Sequence, residues 1–231
     1  MKKNYFNAYT KFTKKNYPLF YDAKISNAPT MQLDKLKNTI NNLYKIIFNI
    51  NLLEQHCEDE DIFLSEIHQL VFRIFQVIPL NDQYLLDILF RALSEAMLRL
   101  IITNSRHNNV NLKMAQKLSF TDIKKIVILD NYIFRRKIKF VYLYNLFSVC
   151  SISLHNPSEK MEKIDYLDDQ LTINLNYKSL NSRVLEINKV IYNLIIPDIY
   201  KIKYSDLTLS ERINISKMMN KSEILSFKKL L

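Results

Sequence analysis

The chain has 231 residues, 48% of them hydrophobic, and a formal net charge of +10. That length and apolar content can bury a core, which excludes a disordered polymer. There is no glycine, which excludes Gly-rich phosphate loops and dinucleotide-binding turns and favours helices joined by polar loops.

Excess charge invites a polyanion partner. Residues with AT-rich codons (Lys, Asn, Ile, Tyr, Phe) are also abundant, so genome composition is a second source of the lysines. Two cysteines, Cys57 and Cys150, suit a reducing cytosol rather than a disulfide framework. The start MKKNYFNAYTKF has no apolar signal core, and no run of about 18 uncharged apolar residues appears, so a cytoplasmic protein without a membrane partner is expected.

Residues 1–29 interleave lysines, Lys14 and Lys15 among them, with tyrosines and phenylalanines. Such an arm either tracks a nucleic-acid backbone and stacks bases, or packs its aromatics on the protein and leaves its lysines in solvent. Pro29 then opens a helix near 31–53 with an apolar stripe from Leu33 to Ile50. The acidic EQHCEDED follows. Its adjacent residues match no metal-ligand spacing, and it reads as a loop feeding a helix N-terminus. The next helix, 62–78, is stopped by Pro79.

Asn81 to Asn104 is the organising stretch. Asn81 or Asp82 caps a helix near 82–103 in which Asp87, Arg91, Glu95 and Arg99 follow one another at intervals of four. They form one polar stripe with alternating signs in the favourable order for i,i+4 pairs. The other positions, including Leu85, Leu86, Ile88, Leu89, Leu93, Met97, Leu98 and Ile101, are expected in the core. The stripe is either a surface ladder or the floor of a site.

A polar connection leads to Ser119 and Asp122, a capping box for a short helix. A long helix is expected over 132–154, starting with the basic run Arg135, Arg136, Lys137 and Lys139 and ending at His155-Asn156-Pro157. Residues 169–177 alternate enough for a strand, 182–196 read as a helix ended by Pro197, and 210–219 and 222–231 as short helices. The fold class is therefore all-α: a multi-helix bundle with two long central antiparallel helices and at most a short two-stranded element near 169–177. One domain spans 1–231, with the arm (1–29), a core bundle (31–156) and a C-terminal helical extension (158–231).

No Ser–His, Cys–His or zinc spacing is present, so no metal or cofactor is expected. What remains is Arg91, Glu95 and His155. If the two long helices pack antiparallel, Arg91 offers a fork of donors to a phosphodiester, His155 transfers a proton, and Glu95 holds the arginine. The alternative is a plain surface ladder and a histidine at a helix end.

LFRALSEAMLRLIIT (Leu89 to Thr103) resembles the central-helix pattern of the HEPN-like group of bacterial helical proteins, and LYNLFSVCSISLHN (Leu143 to Asn156) resembles its later helix. The resemblance spans about Leu80 to Asn156. It implies an all-α bundle, homodimerisation, and a role in phage defence, toxin–antitoxin pairs or RNA cleavage. The group's hallmark, an arginine, four to six residues, then a histidine, is missing here. Two readings follow. One is an RNA-directed effector, a metal-independent endoribonuclease or toxin, with Arg91, Glu95 and His155 catalytic and Lys14, Lys15, Arg135, Arg136, Lys137 and Lys139 on RNA. The other is a non-catalytic helical interaction or regulatory protein with a protein partner from such a system.

Overall fold

The computed structural model describes residues 5–57, 61–105, 109–155 (His155 by its backbone), 175–219 and Ile224. Among these residues every regular element is helical and there is no strand. The elements are α1 (Tyr5–Asn16), α2 (Pro18–Tyr21), α3 (Thr30–Gln55), α4 (Ile62–Val77), α5 (Gln83–Thr103), α6 (Leu112–Ala115), α7 (Phe120–Leu129), α8 (Asn131–Phe134), α9 (Val141–His155), α10 (Tyr177–Val190) and α11 (Leu209–Met218).

Local chemistry explains the punctuation. The Asp61 carboxylate accepts from the Phe63 amide (2.9 Å) to start α4, and Asp82 accepts from the Leu85 amide (3.0 Å) to start α5. Between them the chain must reverse without glycine. Asn81 does this at φ 56°, a left-handed conformation asparagine tolerates better than most residues. Ser119 and Asp122 form the expected reciprocal capping box of α7.

Side-chain contacts fix the helix directions. The Tyr44 ring packs at a tilt on Phe75, while Glu54 lies beside His68, so α3 and α4 are antiparallel. Asn104, at the end of α5, donates to Asp61 at the start of α4 (2.8 Å), so these two are antiparallel as well. On α9, Ser153 meets Asp87 and Phe147 meets Arg91, which sets α9 antiparallel to α5. Thr39 and Asn42 of α3 meet Tyr177 and Asn181 of α10, a parallel pair. One continuous cluster of buried aliphatic and aromatic side chains runs through these helices. The stretch Ile62–Leu80 has the length and hydropathy of a membrane span, yet half of it is buried within the bundle, the position of a core helix.

The N-terminal arm is helical. It buries Phe6, Tyr9 and Phe20 and leaves Lys14 and Lys15 exposed. Several expectations need correction. Leu85 and Ile88 are 36% and 38% exposed, because the described helices leave the outer flank of α5 partly open in its first turns. The helix expected over 132–154 is two pieces, α8 and α9, parted by a 3-10 turn at Lys137–Lys139. No helix-breaking residue type marks this break. Distant partners set it: Arg136 and Lys139 both reach Asp198, and Phe140 turns fully into the core. Pro197 does not end its helix. A π-helical segment, Ile191–Ile199, carries the chain through it, with the Tyr200 amide donating five residues back to Ile195 (2.9 Å). Most of the strand read at 169–177 lies outside the described residues, and Tyr177 itself begins α10 under an Asn176 cap. The helix read at 222–231 lies outside them too, save Ile224.

Candidate functional site

The polar stripe of α5 faces other helices, and its charges are engaged with them or with one another. Asp87 is the most enclosed, its side chain only 3% exposed. Its carboxylate accepts from Gln83 (2.9 Å), from the Ser153 hydroxyl on α9 (2.7 Å) and from the Arg183 guanidinium on α10. The Cys150 thiol lies 3.9 Å away and also touches Arg183. Thus one carboxylate joins three helices.

The electrostatics follow from enclosure. Burial pushes the Cys150 thiol up to about 11; Asp87 adds to this and Arg183 works against it. Burial also pushes Tyr142, beside the same cluster, up to about 12. For Arg183 burial alone would weaken its hold on a proton, but hydrogen bonding and charge attraction from Asp87 raise its pKa.

Arg91 does not pair with Asp87. Its guanidinium carbon sits 4.9 Å from the centre of the Phe147 ring, which is stacked on Phe120 at 3.6 Å. Glu95 pairs with Arg99 (2.7 Å), and the same arginine nitrogen donates to the carbonyl of Leu118 (3.1 Å). Glu95 therefore serves Arg99 rather than Arg91. Facing them from α4 is Glu66, whose carboxyl is raised by burial and by Glu95, against the pull of Arg99. Arg91 and His155 are not set opposite one another. Arg91 meets α9 at Phe147, and His155 is eight residues further, about 12 Å along a helix axis. His155 ends α9 just beyond Ser153, at the Asp87 level.

The basic residues divide in the same way. Lys139 is 2.6 Å and Arg136 3.3 Å from Asp198, and Arg136 also covers the Tyr132 ring at 3.7 Å. Arg135 remains exposed, and Lys137 lies over Phe134 at 5.9 Å. The ammonium of Lys14 lies 5.6 Å from the Tyr21 ring.

Arg183 escaped the sequence reading, though a signal existed. It falls between Leu180 and Ile187 at three-four spacing, on the buried face of α10, where an arginine calls for a buried acid. Asp198 carried no comparable signal.

A second polar knot lies at the other end of α5. Asp61 accepts from Asn104 and, at 2.9 Å, from the Tyr200 hydroxyl, while His56 meets Glu211 of α11 at 3.0 Å. Burial raises the Cys57 thiol beside it. These bonds fasten the C-terminal elements to the ends of α3, α4 and α5. Comparison with family models, curated proteins and solved structures finds no match to this chain.

Proposed function

We propose that this chain is a non-catalytic helical interaction module, of the regulatory or neutralising kind that accompanies cytoplasmic defence and toxin–antitoxin proteins. One observation carries the reading: the charged stripe of α5 is occupied by internal partners. Asp87 is held by Arg183, Glu95 by Arg99, and Arg91 lies on Phe147. A phosphodiester would have to displace Arg91 from its ring, and the backbone of His155 lies about two helical turns along α9 from the level of Phe147.

The test is expression of the intact chain in a bacterial host, with purified protein incubated with structured and single-stranded RNA. Normal growth and intact RNA are expected. RNA cleavage that Arg91→Ala or His155→Ala abolishes would overturn the reading and restore the RNA-directed effector. That second reading draws on the exposed Lys14, Lys15 and Arg135, which remain available to RNA. If they bind it, affinity falls steeply with salt.

A further inference from the structure

We propose that the corner from Ile128 to Lys139 is a docking surface for an anionic lipid bilayer, held at the membrane from one side without spanning it. The two most exposed large hydrophobic side chains among the described residues are here: Ile138 at 84% and Leu129 at 81%. Ile128 (57%) and Phe134 (47%) join them. Isolated exposed aliphatics are common on protein surfaces. Four within eleven residues, in a segment anchored from beneath, are not isolated.

The anchoring is explicit. Asp130 ends α7 and starts α8, accepting from the Tyr132 and Ile133 amides (2.9 and 3.1 Å) and from the Ser105 hydroxyl (2.8 Å). Ile133 and Phe140 are buried. Arg136 and Lys139 are tied to Asp198. The backbone is thus fixed inward while Leu129 and Ile138 project outward.

Charge selects the occupant. Arg135, Arg136, Lys137 and Lys139 follow Phe134 and flank Ile138 in the chain, and the single charge of Asp198, shared by Arg136 and Lys139, balances one of these four. Exposed aliphatic tips next to bases suit an interface where apolar side chains enter the acyl boundary and bases meet anionic headgroups. Single-stranded RNA fits less well, since base stacking needs open aromatic faces, and of the two rings at this surface Phe134 is exposed while Tyr132 is half-buried and covered by Arg136. A second copy of this corner would bring like charges together.

The experiment is flotation of the intact protein with vesicles of phosphatidylcholine alone or of phosphatidylcholine and phosphatidylserine in equal parts. Binding to the anionic vesicles and little to the neutral ones is expected. Arg135→Gln and Lys137→Gln should each weaken it about fivefold at low salt. Leu129→Ser with Ile138→Ser should weaken it by about tenfold or more, and circular dichroism should be unchanged because both side chains are exposed. No flotation with anionic vesicles overturns the proposal, and so does flotation that the serine pair leaves intact. Two other results also overturn it: oligouridine binding that is indifferent to the serine pair, without vesicle binding, or a dimer that the serine pair dissociates.

Discussion

Arg183 holds the carboxylate of Asp87, 96 residues earlier in the chain, although Arg91 stands one helical turn from that carboxylate. An exposed i,i+4 pair contributes only about 0.3–0.5 kcal/mol. A buried carboxylate needs a close, hydrogen-bonded partner far more than that, and Arg183 supplies it together with Ser153 and Gln83. Arg91, released, covers Phe147.

Breaking this joint should therefore be costly from either side. Asp87→Ala and Arg183→Ala should each destabilise the fold by about 3–5 kcal/mol, since each leaves a buried charge without its partner. The double substitution should cost much less than the sum of the two. Guanidinium unfolding of the four proteins gives the cycle, and additive losses would show the pair to be energetically independent.

The rotation of α5 can be checked by truncation. Leu93→Ala and Ile101→Ala remove fully buried side chains and should cost about 2–5 kcal/mol each. Leu85→Ala, at a position one-third exposed, should cost under about 1 kcal/mol. Equal shifts in unfolding midpoint at positions 85 and 93 would contradict this placement.

These same residues mark what could be read without coordinates. The starts of α3, α4 and α5 were legible because Pro29, Asp61 and Asp82 act within one turn of themselves, and most of the α5 core follows from three-four spacing. Leu85 and Ile88 were misread because periodicity gives a helix its apolar face but not the width of its neighbours. The break before α9 was invisible because Asp198, far along the chain, helps set it. The site divides likewise: the stripe is visible in the sequence and Glu95 takes Arg99 as their spacing of four predicts, but the partners of Arg91 and Asp87, Phe147 and Arg183, are chosen by packing.

The two thiols should differ in how they meet alkylating reagents. With its thiol pushed up to about 11, chiefly by burial, Cys150 is roughly one-thousandth thiolate at pH 8 and closed to solvent. Cys57 is also raised by burial but is only partly enclosed. Iodoacetamide at pH 8 should add slowly to Cys57 alone in the native protein, and to both thiols in guanidinium. Intact-mass measurement counts the adducts, and prompt native modification of Cys150 would show that the Asp87–Arg183 joint opens readily.

Asp198 restrains the basic corner, and removing its charge separates restraint from attraction. It holds Lys139 at 2.6 Å and Arg136 at 3.3 Å, and its carbonyl takes the Tyr132 hydroxyl at 2.8 Å. In Asp198→Asn the carbonyl contact stays, while two bases lose their counter-charge and the net charge rises from +10 by one. Partly exposed ion pairs contribute modestly, so the loss of stability should be about 1 kcal/mol or less. Elution from a cation exchanger should move to higher salt than that of the native chain. A control that adds the same charge elsewhere, Asp34→Asn on α3, should move it less, because only at position 198 are two neighbouring bases unmasked together. Identical elution of the two variants would mean that Arg136 and Lys139 already face solvent as freely as any surface base.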